Sequence, residues 1–101
     1  MYQVIHILAK PERVDEIIKA AEEYAYMGAT ILKARQVDSK PETTILNVEI
    51  DHQISVIMMI VKSDVAPKLI AYIEEKCEIP RNEHEMIISL PSHTVRGLSQ
   101  R

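Results

Sequence analysis

The sequence contains no phenylalanine, no tryptophan, two glycines and one cysteine. Without Phe and Trp, the core must be built from Ile, Val, Leu, Met and Ala, because the only aromatics are four tyrosines. Two glycines are too few for the glycine-rich loops that cradle phosphates in Walker and dinucleotide-binding motifs. The lone Cys77 excludes an internal disulfide, and such sparing use of cysteine points to a reduced, cytoplasmic setting. No run of about 18 apolar residues occurs, so neither a membrane span nor direct membrane insertion is expected. The first residues, MYQVIHILAKPE, lack a basic leader and a small-residue cleavage site. A net charge of −3 provides no electrostatic footprint for nucleic acid or an anionic membrane surface.

What is present is an aliphatic chain of single-domain size. Its 101 residues are 47% hydrophobic and 27% charged, enough for one modest core and too apolar for disorder. Tyr2 to Leu8 reads as a strand. Lys10-Pro11 follows it, with Glu12, Asp15 and Glu16 suited to the positive end of a helix dipole. Val14, Ile17, Ile18, Ala21 and Ala25 share one helical face, which predicts a helix over 11–26 with Gly28 as a left-handed cap. Ala29 to Arg35 is a second strand. The polar stretch 36–43 is a loop, Thr44 to Ile50 is β-prone again, and Asp51-His52-Gln53 interrupts it before the apolar strand Ile54 to Val61. Ser63-Asp64 is placed to cap a second helix that carries Pro67 in its first turn and Ala66, Leu69, Ile70, Ile73 and Cys77 on one face. Ile79-Pro80-Arg81-Asn82 breaks that helix, and Glu85 to Leu90 is a last strand ended by Pro91.

The order β-α-β-β-α-β is that of the α+β, ferredoxin-like arrangement: a four-stranded antiparallel sheet with two helices on one face. Its open face should be polar. Here Ile54, Val56, Met58 and Ile60 point one way while Ile57, Met59 and Val61 point the other, and Met86, Ile88 and Leu90 oppose Ile87 and Ser89. A sheet apolar on both faces needs a cover, and with no third helix in the chain that cover is expected to be other subunits.

The stretch KPERVDEIIKAAEEYAYMGATILKAR resembles the first half of PII-like signalling proteins, and IISLPSHTVRGL resembles their last strand and following C-loop. The two stretches bracket an equivalent strand and helix at 54–77, so the resemblance spans nearly the whole chain outside 36–53. The CutA family shares this fold and ends its last strand in Leu-Pro, but its aromatic-rich central hairpin is absent here. The PII resemblance implies a single 1–101 domain forming a homotrimer whose sheets pack around a threefold axis. It implies a non-catalytic, small-molecule-sensing regulatory protein that controls a partner enzyme or membrane transporter through a T-loop, with nitrogen regulation the family's commonest association. It implies adenine nucleotide as a possible ligand in an inter-subunit cleft, with Lys33, Ala34, Arg35 and Gln36 at the end of strand two, Arg81 in a B-loop over 81–85 and Arg96 in a C-loop over 93–98. The T-loop falls in 36–53, where Asp38, Ser39, Lys40, Glu42 and Thr43 are the partner-facing residues.

Two departures qualify the nucleotide. PII-like proteins place glycines after strand two, where Ala34 and Gln36 stand, and in the B-loop, which here reads PRNEHE. Glycine lets backbone N–H groups close on phosphate, and Glu83 and Glu85 would repel it. The alternative is therefore a PII-like trimer that binds no nucleotide and acts as an interaction module or senses another ligand such as an amino acid. An amino-acid-binding domain of the ACT type, with the same element order, is a third reading. Tyrosine nucleotidylylation in 36–53 is excluded because that segment has no tyrosine. Serines 55, 63 and 89 and Cys77 have no activating neighbours in sequence, so no catalytic residue is assigned. None of His6, His52, His84 and His93 has close ligand spacing, so no metal site is expected.

Overall fold

A computed structural model describes residues 1–24, 28–37, 44–45, 48–49 and 51–98. Strand β1 covers Tyr2–Ala9. A 3-10 turn, Pro11–Arg13, leads into helix α1, Val14–Tyr24. Strand β2 covers Thr30–Val37, and two short strands, β3 (Thr44–Ile45) and β4 (Val48–Glu49), pair with each other. Strand β5 runs Asp51–Lys62, helix α2 Ala66–Cys77 and strand β6 Met86–Ser92. The four long strands form one antiparallel sheet in the order β2-β5-β1-β6, which is the ferredoxin-like arrangement expected from the element order.

The helical stripes read from the sequence face the core, with Ile18 and Ile70 only partly buried against it. Val14, Ile17 and Ala21 of α1, joined by Ala20, meet Leu69, Ile73 and Cys77 of α2 over Ile5, Ile7, Ile57, Met59 and Val61 of the sheet. Each fully buried Ile or Leu contributes about 1.5–3 kcal/mol, which is how a core without Phe or Trp suffices. Ala25, the last member of the expected α1 stripe, lies outside the described residues. Gly28 has φ 107°, the left-handed geometry that favours glycine.

Three local readings change. The Ser63-Asp64 pair does not cap α2: Val65 is the N-cap, with no side-chain cap bond, and Ser63 Oγ is buried without a hydrogen-bond partner. Asp51-His52-Gln53 does not interrupt a strand. Val37 pairs with Asp51, Gln36 with His52 and Arg35 with Gln53, because the ladder uses backbone groups and does not depend on side-chain polarity. Pro91 does not end β6 but pairs with Gln3 inside it, which an edge strand tolerates because a missing N–H there costs no ladder bond.

The sheet is apolar on both faces. The register aligns Val4 with Ile60 and Leu90, His6 with Met58 and Ile88, and Leu8 with Val56 and Met86, so these side chains share the face opposite the helices. Leu32, Met86, Ile88 and Leu90 are 48%, 48%, 37% and 52% exposed there. Among the described residues no helix is long and apolar enough to cross a membrane.

Candidate functional site

At the end of the sheet where β1 turns into the first helix, a cavity of about 760 Å³ is lined by Pro11, Lys33, Ala34, Arg35, Gln53, Ile54 and Ser55. A smaller cavity of about 310 Å³ shares Pro11, Gln53 and Ile54 with it and adds Lys10, Glu12, His52 and His84. Lys33 and Arg35 alternate along β2 and so project from one face, about 6–7 Å apart along the strand. They stand opposite Ser55 and Gln53 of β5. A lysine is a compact point charge and an arginine a planar fork, and together they suit an anionic group such as a carboxylate or phosphate.

Of the residues singled out in the sequence, Lys33, Ala34 and Arg35 are thus brought together on one wall. Gln36 lines neither cavity; its amide Oε1 lies 2.9 Å from Nδ1 of His84, which lines the smaller one. Arg81 is placed elsewhere. Its guanidinium donates to the Cys77 carbonyl at 3.3 Å and lies 3.7 Å from the carboxylates of Glu16 and of Glu78. Arg96 is exposed in the segment after β6, next to Gly97 at φ 82°. Neither lines the two cavities. Asp38, Ser39, Lys40, Glu42 and Thr43 lie outside the described residues.

The turn 81–85 is built differently from its sequence expectation. Glu85 does not point toward the ligand side; it is 6% exposed and folded under the helices onto Arg13. Arg13 Nε donates to Glu85 Oε2 at 2.7 Å, and Nη2 donates to Glu85 Oε1 at 3.3 Å and to the Cys77 carbonyl at 2.5 Å. Nη1 pairs with Glu16, while the Arg81 backbone N–H donates to Glu85 Oε1 at 2.7 Å. Burial pushes the Glu85 carboxyl up, but the Arg13 hydrogen bond, the Arg81 N–H and the charges of both arginines outweigh it, so its pKa ends below the ordinary value. The Glu85 hydrogen bond likewise raises Arg13, against the lowering effect of burial. Glu83 alone of the two acids stays exposed.

Sequence reasoning missed the meeting of His52 and His84. Their ring centroids are 4.3 Å apart and the planes tilted by 42°. Nothing in their spacing announces this: His52 sits on β5 and His84 in the turn before β6, and only the hairpin register, which sets His52 opposite Gln36, brings both to the cavity rim.

No family model and no curated protein matches the chain. Solved structures do. The PII protein of Arabidopsis thaliana, in a structure bound to citrate, superposes with a TM-score of 0.71 at 18% identity, covering 97% of this chain and 83% of that one. A DUF3240 family protein from Shewanella baltica superposes with a TM-score of 0.72 at 12% identity, covering 97% of each. At these identities the likeness is one of fold, and it extends over almost the whole molecule: the chain has a divergent PII-like fold.

Proposed function

We propose that this protein is a non-catalytic regulatory sensor of a small anionic molecule, working as a homotrimer that controls an enzyme or membrane transporter through the segment 38–50. The observation that carries the reading is the cavity in which Lys33 and Arg35 project together from β2, at the root of that segment. The apolar open face of the sheet supports the trimer, since three such faces packed together remove Leu32, Met86, Ile88 and Leu90 from water. In this reading adenine nucleotide is the first ligand to test, with Lys33 and Arg35 on its phosphates and Ala34 and Gln36 beside them. Arg81 and Arg96 belong to the same site only if a neighbouring subunit brings them to it. Regulation requires the ligand to bind two conformers of the segment with different affinity.

A second reading has its own support. Both glycines are used at positive φ outside the turn 81–85, at Gly28 and Gly97, so that turn has no glycine with which to wrap phosphate. In this reading the trimer binds no nucleotide and takes another anion, such as an amino acid carboxylate, or serves as an interaction module.

Calorimetry with ATP, ADP, AMP, cyclic nucleotides and amino acids separates the two. Heat with a nucleotide that disappears in Lys33→Ala and Arg35→Ala supports the first. No heat with any nucleotide at millimolar concentration overturns it. Light scattering tests the assembly: the expected mass is three times the 11.5 kDa chain, and a clean monomer at micromolar concentration refutes the trimer.

A further inference from the structure

The rim of the smaller cavity holds two imidazoles in contact, far apart in sequence and on different elements. We propose that His52 and His84 form a two-imidazole clamp for a divalent transition-metal ion of the borderline class, such as Zn²⁺, Ni²⁺ or Cu²⁺. The ring centroids stand 4.3 Å apart, so modest side-chain rotation brings one nitrogen of each onto a common ion. Imidazole nitrogen is a preferred donor for these metals. The second shell is already present on one side. His84 Nδ1 meets Gln36 Oε1 at 2.9 Å; donating to that oxygen, it leaves the lone pair on Nε2, and a carbonyl acceptor on the far nitrogen is the usual device that orients a ligating histidine. Glu83 Oε1 lies 3.8 Å from the same Nε2, where a carboxylate favours a cation. Glu12 lines the cavity as a second carboxylate and Lys10 as an opposing cation.

Among the described residues no three histidine, cysteine or carboxylate side chains are gathered about one point. The clamp is therefore bidentate, with water in the remaining positions. Such a site is exchangeable rather than structural, because a closed structural zinc site takes four protein ligands. Its consequence is mechanical: a bound ion ties β5, at the root of the segment 38–50, to the turn that precedes β6. The clamp does not use Lys33 or Arg35, which carry the anionic ligand proposed above, and shares only Gln36 with that reading.

The test is calorimetric titration of the untagged full chain with Zn²⁺ and Ni²⁺ in chelator-free buffer, paired with Cu²⁺ electron paramagnetic resonance. The expected result is saturable uptake of one ion per chain, nitrogen coupling from two imidazoles, and at least tenfold weakening in His52→Ala and in His84→Ala. Gln36→Leu and Glu83→Gln, which leave both imidazoles in place, weaken binding by smaller factors. His6→Ala and His93→Ala leave it unchanged. Acidification weakens it, because protons compete for the same lone pairs. Absence of saturable uptake at about 100 µM ion, or wild-type affinity in folded His52→Ala or His84→Ala protein, overturns the proposal. Far-ultraviolet circular dichroism of each variant, together with the two conservative variants, separates loss of a ligand from loss of the fold.

Discussion

Replacing Arg13 with alanine removes the guanidinium that holds the end of α2 and the turn 81–85 to α1. The side chain is 6% exposed and donates to Glu85, Glu16 and the Cys77 carbonyl. Its loss strands the Glu85 carboxylate, equally buried, with the Arg81 backbone N–H as its remaining hydrogen-bond donor here. Leaving one member of a buried ion pair unpartnered costs about 3–5 kcal/mol. A chain of this size has only about 5–15 kcal/mol of stability in all. Glu85→Gln is milder, at about 1.5–3 kcal/mol, because the amide still accepts from Arg81 and Glu16 still balances Arg13. The double replacement Arg13→Met with Glu85→Leu recovers much of the loss, since apolar groups of similar volume need no partner. The assay is urea unfolding at one fixed protein concentration, so that assembly contributes equally to every variant. A cost below about 1 kcal/mol for Arg13→Ala, or a double variant no more stable than the summed single losses, refutes the assignment of this pair as the clasp of the turn. The pair also sets a pH dependence. The folded-state pKa of Glu85 lies below its unfolded value, so its contribution is fully present above the unfolded carboxylate pKa of about 4.3 and is lost as pH falls through the lower folded value. The stability gap between wild type and Glu85→Gln therefore narrows below about pH 4.

Ile57→Asp buries an unpaired charge in the core beneath the helices and unfolds the chain, whereas Met58→Asp, on the open face, gives a folded monomer by light scattering and circular dichroism. Lys33→Ala and Arg35→Ala each weaken binding of an anionic ligand by calorimetry, because both side chains line the cavity. Gly28→Ala costs about 1 kcal/mol in thermal unfolding, since φ 107° strains any residue with a Cβ. Cys77 resists thiol reagents in the folded protein: it is fully buried, and burial followed by the Glu16 charge holds its pKa above the ordinary value.

The sequence alone determined the element order, the two helical stripes and the two-faced sheet. Each depends on a local period, 3.6 for Val14, Ile17 and Ala21 and 2 for Ile57, Met59 and Val61, and a period survives in one dimension. Lys33 and Arg35 are named by the PII resemblance rather than by any period, and the fold sets both on the wall of one cavity. Strand ends were less legible. Gln53 and Pro91 look like breaks by residue type, yet hydrogen-bond ladders accept polar side chains and accept proline at an edge. What only the tertiary structure decided are the encounters between distant segments. Glu85 reads as an exposed acid in a turn and becomes buried because Arg13, from the start of the first helix, neutralises it. His52 and His84 read as unrelated and become neighbours because the β2–β5 register carries one to the other. Pair energies of this kind fall off within a few ångströms, so they are set by the folded chain's distances and leave no spacing in the sequence from which to read them.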